Sequence, residues 1–286
     1  MTAAPRIAYV IPTLDRTEPL AAMLESILHQ NIGPAVVVVV DQNPAPILAP
    51  LLARFAGRLN IRHLAVGRPL GSSAARNLGW QAVAADLVIF PDDDCTYPPG
   101  LIARMLAVMQ QTGADLVSGR CADAAGQNSN GNFATEAGWV GRGNIWQTQI
   151  EWMVLMRRPV LEATGGYDPA LGVGAYCGSC EGQDLTLRAC AAGFRQYYDP
   201  ALTGQHPDVL HRPDAATARK CRAYGRGMGH VLRQHGFGRA VQAKYLLRPL
   251  LRAAFNLARG RVGEANLALN TALGRWEGLS KCRPSP

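Results

Sequence analysis

Pro91-Asp92-Asp93-Asp94 places three carboxylates side by side directly after the apolar run Leu87-Val-Ile-Phe90. Neighbouring carboxylates repel one another and are poor strand formers, so a strand end holds them at a cost. A hard divalent cation bound through oxygen offsets that repulsion and readily bridges to phosphate oxygens. The other reading is a helix cap or a solvated turn, but a cap uses one carboxylate rather than three. Metal-plus-diphosphate binding is the chemistry this stretch points to.

A second group of titratable residues lies downstream. Glu181-Gly182-Gln183-Asp184 opens a helical pattern that Gly193 stops, and Gly172, Gly174 and Gly178 lead into it. Asp184, in a first helical turn, is accounted for by capping and the helix dipole. Glu181 is the candidate general base, a carboxylate able to take the proton of an attacking hydroxyl. His206, in Gln205-His206-Pro207, is a candidate ligand with His211 as its competitor, although a lone histidine is often an ordinary surface residue. Arg76-Asn77 sits near a helix start, where anions bind. Cys177-Gly-Ser-Cys180 has redox spacing, but without a second pair it reads as packing in a Gly-rich loop.

These residues need a frame, and the first half of the chain supplies one. Ile7–Ile11 reads as a strand closed by Pro12, followed by Leu20, Met23, Leu24, Ile27 and Leu28 at helical spacing. Val36–Val40 is continuously apolar, as buried parallel strands are. Ile61–Val66 is a further strand, Ser73–Ala84 a helix and Asp86–Phe90 a strand. This alternation predicts a wound, mostly parallel sheet with helices on both faces, which binds ligands beyond the carboxyl ends of its strands. Residues 121–145 read as a loop, and the chain beyond about 215 as mainly helical.

Charge is unevenly spread. Residues 1–210 carry 14 Arg, no Lys and 18 acids, whereas residues 211–286 carry 15 basic residues against 3 acids. The body is thus net negative, and the tail carries a charge of +12. A phosphate-binding lysine cannot lie in the body, so if the body handles phosphates, arginines and a metal must supply the positive charge. Within the tail, Leu247, Leu250, Leu251, Ala254, Phe255 and Ala258 form one helical stripe, with Arg248, Arg252 and Arg259 largely on another face. Residues 240–260 therefore either meet an anionic membrane surface or pack on the body of the protein. No apolar run reaches the roughly 20 residues of a membrane span, and no secretory signal is visible, so the expected location is the cytoplasm, with a peripheral place on the inner membrane face left open. Nucleic acid is not an expected partner, because no RNA-binding aromatic signature accompanies the basic tail.

In sequence order, from about residue 6 to about 235, these pieces resemble family 2 glycosyltransferases. Ile11-Pro12-Thr13-Leu14-Asp15-Arg16 looks like the opening strand and turn, and Val39-Val40-Asp41 like the second strand with its base-contacting aspartate. Ala75-Arg76-Asn77-Leu78-Gly79 and Asp92–Asp94 are similar to the family's helix and metal-binding D-x-D element. Gly165-Gly166-Tyr167-Asp168, Glu181–Arg188, Tyr198-Asp199-Pro200 and His206 resemble the acceptor-side block. Two positions depart from the family: Gly182 stands where an aspartate often serves as base, and Gln42 where a second aspartate often follows Asp41.

The resemblance implies a GT-A fold, a three-layer α/β/α arrangement on a mostly parallel mixed sheet with a C-terminal helical tail. It divides into a catalytic domain over 1–214 (nucleotide half 1–95, acceptor half 96–214) and a basic helical region over 215–286. The implied activity is inverting transfer of a sugar from a nucleotide diphosphate, with UDP or dTDP expected, to a carbohydrate or lipid-linked carbohydrate in polysaccharide or glycolipid assembly. Pro12, Thr13, Asp15, Arg16, Asp41, Arg76, Asn77, Asp92 and Asp93 would bind the nucleotide sugar. Asp92, Asp94 and His206 would hold Mn²⁺ or Mg²⁺. Glu181 would act as base, with Asp184 as its rival. A nucleotidyltransferase, or a relative that binds nucleotide sugar without turnover, is the alternative.

Overall fold

The computed structural model describes residues 4–207 and 212–280, and His211 lies outside them. Eight strands form one mixed sheet: β1 (Ile7–Thr13), β2 (Ala35–Asp41), β3 (Ile61–Ala65), β4 (Leu87–Ile89), β5 (Leu116–Cys121), β6 (Gly138–Trp139), β7 (Val154–Arg157) and β8 (Gln196–Gly204). Their order is β3-β2-β1-β4-β7-β5-β8-β6. The β3-β2-β1-β4 part is parallel, as is β5 with β8, whereas β7 runs antiparallel to both β4 and β5.

β1 does not end before Pro12, as the proline suggests, but runs through it to Thr13. Pro12 pairs in register with Val40 of β2, while the ladder to β4 stops at Tyr9. The missing proline N–H therefore interrupts no bond on the β4 side, the condition under which a strand tolerates proline.

Alternation along the strands separates two apolar faces. Ala8, Val10, Val38, Val40, Val88 and Phe90 share a cluster with Ala75 and Trp80 of α3 (Ser72–Gln81), Val160 and Leu161 of α6 (Arg158–Thr164), and Leu185 and Ala189 of α7 (Glu181–Ala191). Ile7, Tyr9, Ile11, Val37, Val39 and Ile89 point the other way and are just as buried. The buried stripes of α1 (Glu18–Leu28) and α4 (Leu101–Thr112) serve that second face. Gln30 joins their ends, its amide nitrogen donating to the carbonyls of Ser26, Tyr97 and Pro98 and its oxygen accepting from the Ile102 N–H. Two short helices, α2 (Ala49–Ala53) and α5 (Ile145–Thr148), complete the body; β6 interrupts the 121–145 segment expected to be all loop, and α5 begins at its last residue.

The chain divides into two compact units. The first comprises Met1–Leu70, Ala74–Tyr167 and Leu185–Asp208 and contains the sheet. The second comprises Gly71–Ser73, Asp168–Asp184 and Val209–Pro286. Its framework is three helices, α8 (Ala215–Gln234), α9 (Arg239–Ala258) and α10 (Val262–Ser280). Among the described residues no helix is long and apolar enough to cross a membrane.

Glycines set the approach of α8 and α10. A Cβ on Gly274 would sit 2.1 Å from the Arg222 carbonyl oxygen, and one on Gly278 2.2 Å from that of Arg226. Gly229 meets the Arg275 carbonyl in the same way. Backbone cannot move aside as a side-chain end can, so Gly278→Ala should cost about 1–3 kcal/mol through overpacking, despite the better helix propensity of alanine. Urea denaturation of the two proteins measures this, and an unchanged midpoint would show that α8 and α10 are not this close.

Candidate active site

From β1 the chain moves outward to β2 and β3, then returns to the other side of β1 as β4. At such a reversal a crevice opens at the carboxyl ends of the two diverging strands. Thr13 closes β1 there, and Asp92, Asp93 and Asp94 follow β4. The three carboxylates thus stand at the place where a wound sheet binds ligands.

Each carboxylate has a cation. Arg76, from α3 and fully buried, donates from Nη2 to Asp92 Oδ1 at 2.6 Å. Arg16, in the turn after β1, reaches Asp93 Oδ1 at 2.8 Å and also Asp94 Oδ2. His206 Nε2 lies 3.2 Å from Asp94 Oδ1. Burial raises the Asp93 carboxyl above the ordinary range, although Thr13 and Arg16 oppose that shift. Burial acts on Asp94 too, but there the hydrogen bond and charge of His206, joined by Arg16, outweigh it and hold the group low.

Asp92, Asp94 and His206 form a possible cation site, with one donor atom of each within 4.8 Å of the others. Two carboxylate oxygens suit Mn²⁺ or Mg²⁺, the imidazole nitrogen favours Mn²⁺ of the two, and positions are left for phosphate oxygens. The end of β8 brings His206 there, because Thr96 and Gln205 exchange backbone hydrogen bonds of 2.8 and 2.9 Å beside the aspartates. His206 Nδ1 lies 2.8 Å from the Pro207 carbonyl, so Nδ1–H donates and Nε2 turns to the carboxylate. An outer hydrogen bond of this kind fixes the ligating tautomer of a histidine.

Other residues that the sequence analysis assigns to nucleotide-sugar binding are drawn together around β1 and β2, whose register sets Thr13 beside Asp41. Asp41 is buried; its Oδ1 accepts from the backbone N–H and side-chain amide of Asn43, and its Oδ2 lies 2.9 Å from His63 Nε2. Three of the roughly four acceptor positions of a carboxylate are therefore occupied. Asp15 has φ 57°, in the left-handed region, and its N–H donates to Asn43 Oδ1. Gln42 accepts from the Leu70 N–H at 2.7 Å, which ties down the segment after β3. Pro12 is buried inside the strand.

Asn77 serves the turn at 165–168. Its oxygen accepts from the Tyr167 N–H at 2.9 Å and its nitrogen donates to the Tyr167 carbonyl at 2.7 Å. Gly166, with φ 80°, permits this, since a Cβ there would lie 2.4 Å from the Asn77 oxygen. Arg188 completes the brace by donating to the Thr164 and Gly166 carbonyls.

In the second unit, Glu181 is 3% exposed, and its Oε1 accepts from the Ser72 hydroxyl at 3.4 Å. Gly172, at φ 96°, leaves the room, because a Cβ would sit 2.9 Å from that same oxygen. Asp184 stands in the first turn of α7 and is buried there as well. It is 0% exposed, and its Oδ1 lies 2.8 Å from Nε2 of His235. A buried carboxylate needs such a partner, and nothing local in the sequence marks a histidine 51 positions away. His63, Asn43 and His235 are the residues that sequence reasoning passed over. Cys177 and Cys180 fit the packing reading, and no disulfide joins cysteines among the described residues.

A pH dependence follows from His206. The hydrogen bond to Asp94 raises its pKa above the ordinary value of 6.5. The protonated ring cannot ligate through Nε2, so Mn²⁺ affinity should climb between about pH 6 and pH 8, approaching tenfold per unit below the histidine pKa, with proton release on binding. Calorimetry in buffers of different ionisation enthalpy reads both quantities. A pH-independent affinity would remove His206 from the ligand set.

Comparison with known proteins accords with this geometry. The uncharacterized glycosyltransferase YwdF of Bacillus subtilis is 31% identical over 100 residues, covering 35% of this chain and 37% of its own. The chain spans about a third of the length of the curated relatives it matches. A mannosyltransferase from Pyrobaculum calidifontis, solved with GDP-Man and Mn²⁺, superposes with a TM-score of 0.64 at 14% identity, covering 99% of this chain and 89% of that one. TarS of S. aureus in complex with UDP-GlcNAc gives 0.57 at 13% identity, covering 95% and 91%. Both likenesses support the GT-A fold. The model of glycosyl transferase family 2 matches residues 9–164, more than half of the chain, and the protein belongs to that family.

Proposed function

We propose that this protein moves a sugar from a uridine or thymidine diphosphate sugar onto a hydroxyl of a carbohydrate or lipid-linked carbohydrate, in polysaccharide or glycolipid assembly. The observation that carries this reading is the convergence of Asp92, Asp94 and His206 at the β1/β4 reversal of a family 2 chain. A structural neighbour was solved with a nucleotide sugar and Mn²⁺, in keeping with a metal-assisted donor site.

In this account Asp92, Asp94 and His206 hold Mn²⁺ or Mg²⁺. Bound there, the cation would neutralise charge on the departing diphosphate. Arg76 and Arg16 add fixed positive charge in place of the missing lysine, and Arg76 sets the position of Asp92. Thr13 and Asp41 meet the base, with the last acceptor position of Asp41 available to a pyrimidine N–H. Asn43 and His63 orient Asp41, and Asn77 also positions the 165–168 turn. Glu181 takes the acceptor proton as the new C–O bond forms at the anomeric carbon, and a single displacement inverts that centre. Asp184 is committed to His235, which supports Glu181 as the base even though Gly182 replaces the aspartate common in the family.

Two sets of variants test this reading. Asp94→Ala should abolish metal-dependent UDP binding while the fold survives, and undiminished UDP affinity in excess EDTA would refute the donor site. Glu181→Gln should lower kcat by about 10²–10⁴ with donor binding nearly unchanged. Asp184→Asn should instead lose stability, up to about 3 kcal/mol, because a buried partner of His235 is altered. Near-normal turnover of Glu181→Gln beside a folded but inactive Asp184→Asn would transfer the base role to Asp184. Tighter binding of GDP than of UDP and dTDP would contradict the pyrimidine assignment.

A further inference from the structure

α9 carries its large apolar side chains on the wrong side for core packing. The residues it buries are Pro249, Ala253 and Asn256. Leu247, Leu251 and Phe255 are 53%, 69% and 54% exposed, and Leu250 and Leu257 are open as well. At about 100° per residue, the Leu247-Leu250-Leu251-Ala254-Phe255-Ala258 stripe lies roughly half a turn from Pro249, Ala253 and Asn256. Within its own unit, α9 therefore leaves this stripe unpacked.

α10 extends the same surface. The Arg275 guanidinium donates to the Tyr245 carbonyl, which sets those two positions level across an antiparallel pair. Counting outward along both helices puts Leu273 level with Leu247 and Leu269 level with Leu251. Leu269 and Leu273 are exposed too, and Trp276, 59% exposed, stands one turn beyond. An indole in such a place suits a water–hydrocarbon boundary.

Charge selects the occupant. Between residues 239 and 263 stand Arg239, Lys244, Arg248, Arg252, Arg259 and Arg261, without one acidic residue. A second copy on this face would bring like charges together, whereas an anionic lipid surface complements them. The long arginine stems can lie along the apolar surface while their heads reach phosphate, and Arg259 already stacks on the Phe255 ring at 4.2 Å. We infer that the α9–α10 hairpin docks this protein on an anionic membrane surface, inserting Leu247, Leu251, Phe255 and Trp276 into the interface beneath the basic side chains. This surface lies within the second unit and owes nothing to the donor site, so it stands whether or not the proposed transfer reaction is correct.

The test is co-sedimentation of the full chain with vesicles of phosphatidylcholine alone and of phosphatidylcholine mixed with phosphatidylglycerol, at low and high salt. Binding should require the anionic lipid and weaken as salt rises. Arg248→Glu with Arg252→Glu should lower the partition coefficient at least roughly tenfold, as two lost surface attractions and two new repulsions demand. Leu251→Glu with Phe255→Glu should release the protein as well, with an unchanged urea midpoint, because both side chains are exposed. Binding to neutral and anionic vesicles alike, or to neither, would overturn the inference. So would a concentration-dependent dimer in sedimentation equilibrium that Leu251→Glu dissolves, since a second copy would then be the occupant.

Discussion

Three adjacent carboxylates at the end of a buried strand repel one another and lose hydration, and the first unit is built around offsetting both effects. Arg76 answers Asp92, Arg16 answers Asp93 and Asp94, and His206 answers Asp94. These partners come from the turn after β1, from α3 and from the end of β8, so the carboxylates tie together elements that are distant in sequence. Arg76 is itself fully buried and would be costly without Asp92. The arrangement holds negative charge ready for a cation without letting it unfold the strand end.

Around that charge the fold supplies rigid supports. The β1–β2 register brings Thr13 to Asp41, and Asn43 and His63 hold the Asp41 carboxylate from two sides. Asn77, Gly166 and Arg188 lock the 165–168 turn through backbone hydrogen bonds. In the second unit, glycines let α8 and α10 approach at backbone distance, and His235 at the end of α8 secures Asp184. On the proposed function each support leaves the chemistry to a neighbour: Asn43 to Asp41, Arg76 to Asp92, and Asp184 to Glu181.

What was legible in the sequence was what local pattern encodes. The apolar runs of β1, β2 and β4 and the Leu/Met spacing of α1 and α4 announced their elements, and the Asp triplet pointed to the possible cation site. Interactions across long separations left no such mark. The reach of Arg16 to Asp93 spans 77 positions, and the Asp184–His235 pair carries no periodicity. Pro12 misled because its effect depends on which neighbouring strand has already ended, a tertiary fact. The outward direction of the α9 stripe was likewise undecided, because a helical period shows that residues share a face but not what that face meets.

On the proposed function, Asp92, Asp94 and His206 together hold the cation that receives the donor diphosphate. Crystals of the protein grown with UDP and Mn²⁺, with data collected near the manganese absorption edge, test it most directly. One anomalous peak is expected within coordination distance, roughly 2.0–2.3 Å, of oxygens from Asp92 and Asp94 and of His206 Nε2, with the diphosphate on its open side. Nucleotide bound at the β1/β4 reversal with no anomalous peak among these residues would contradict it.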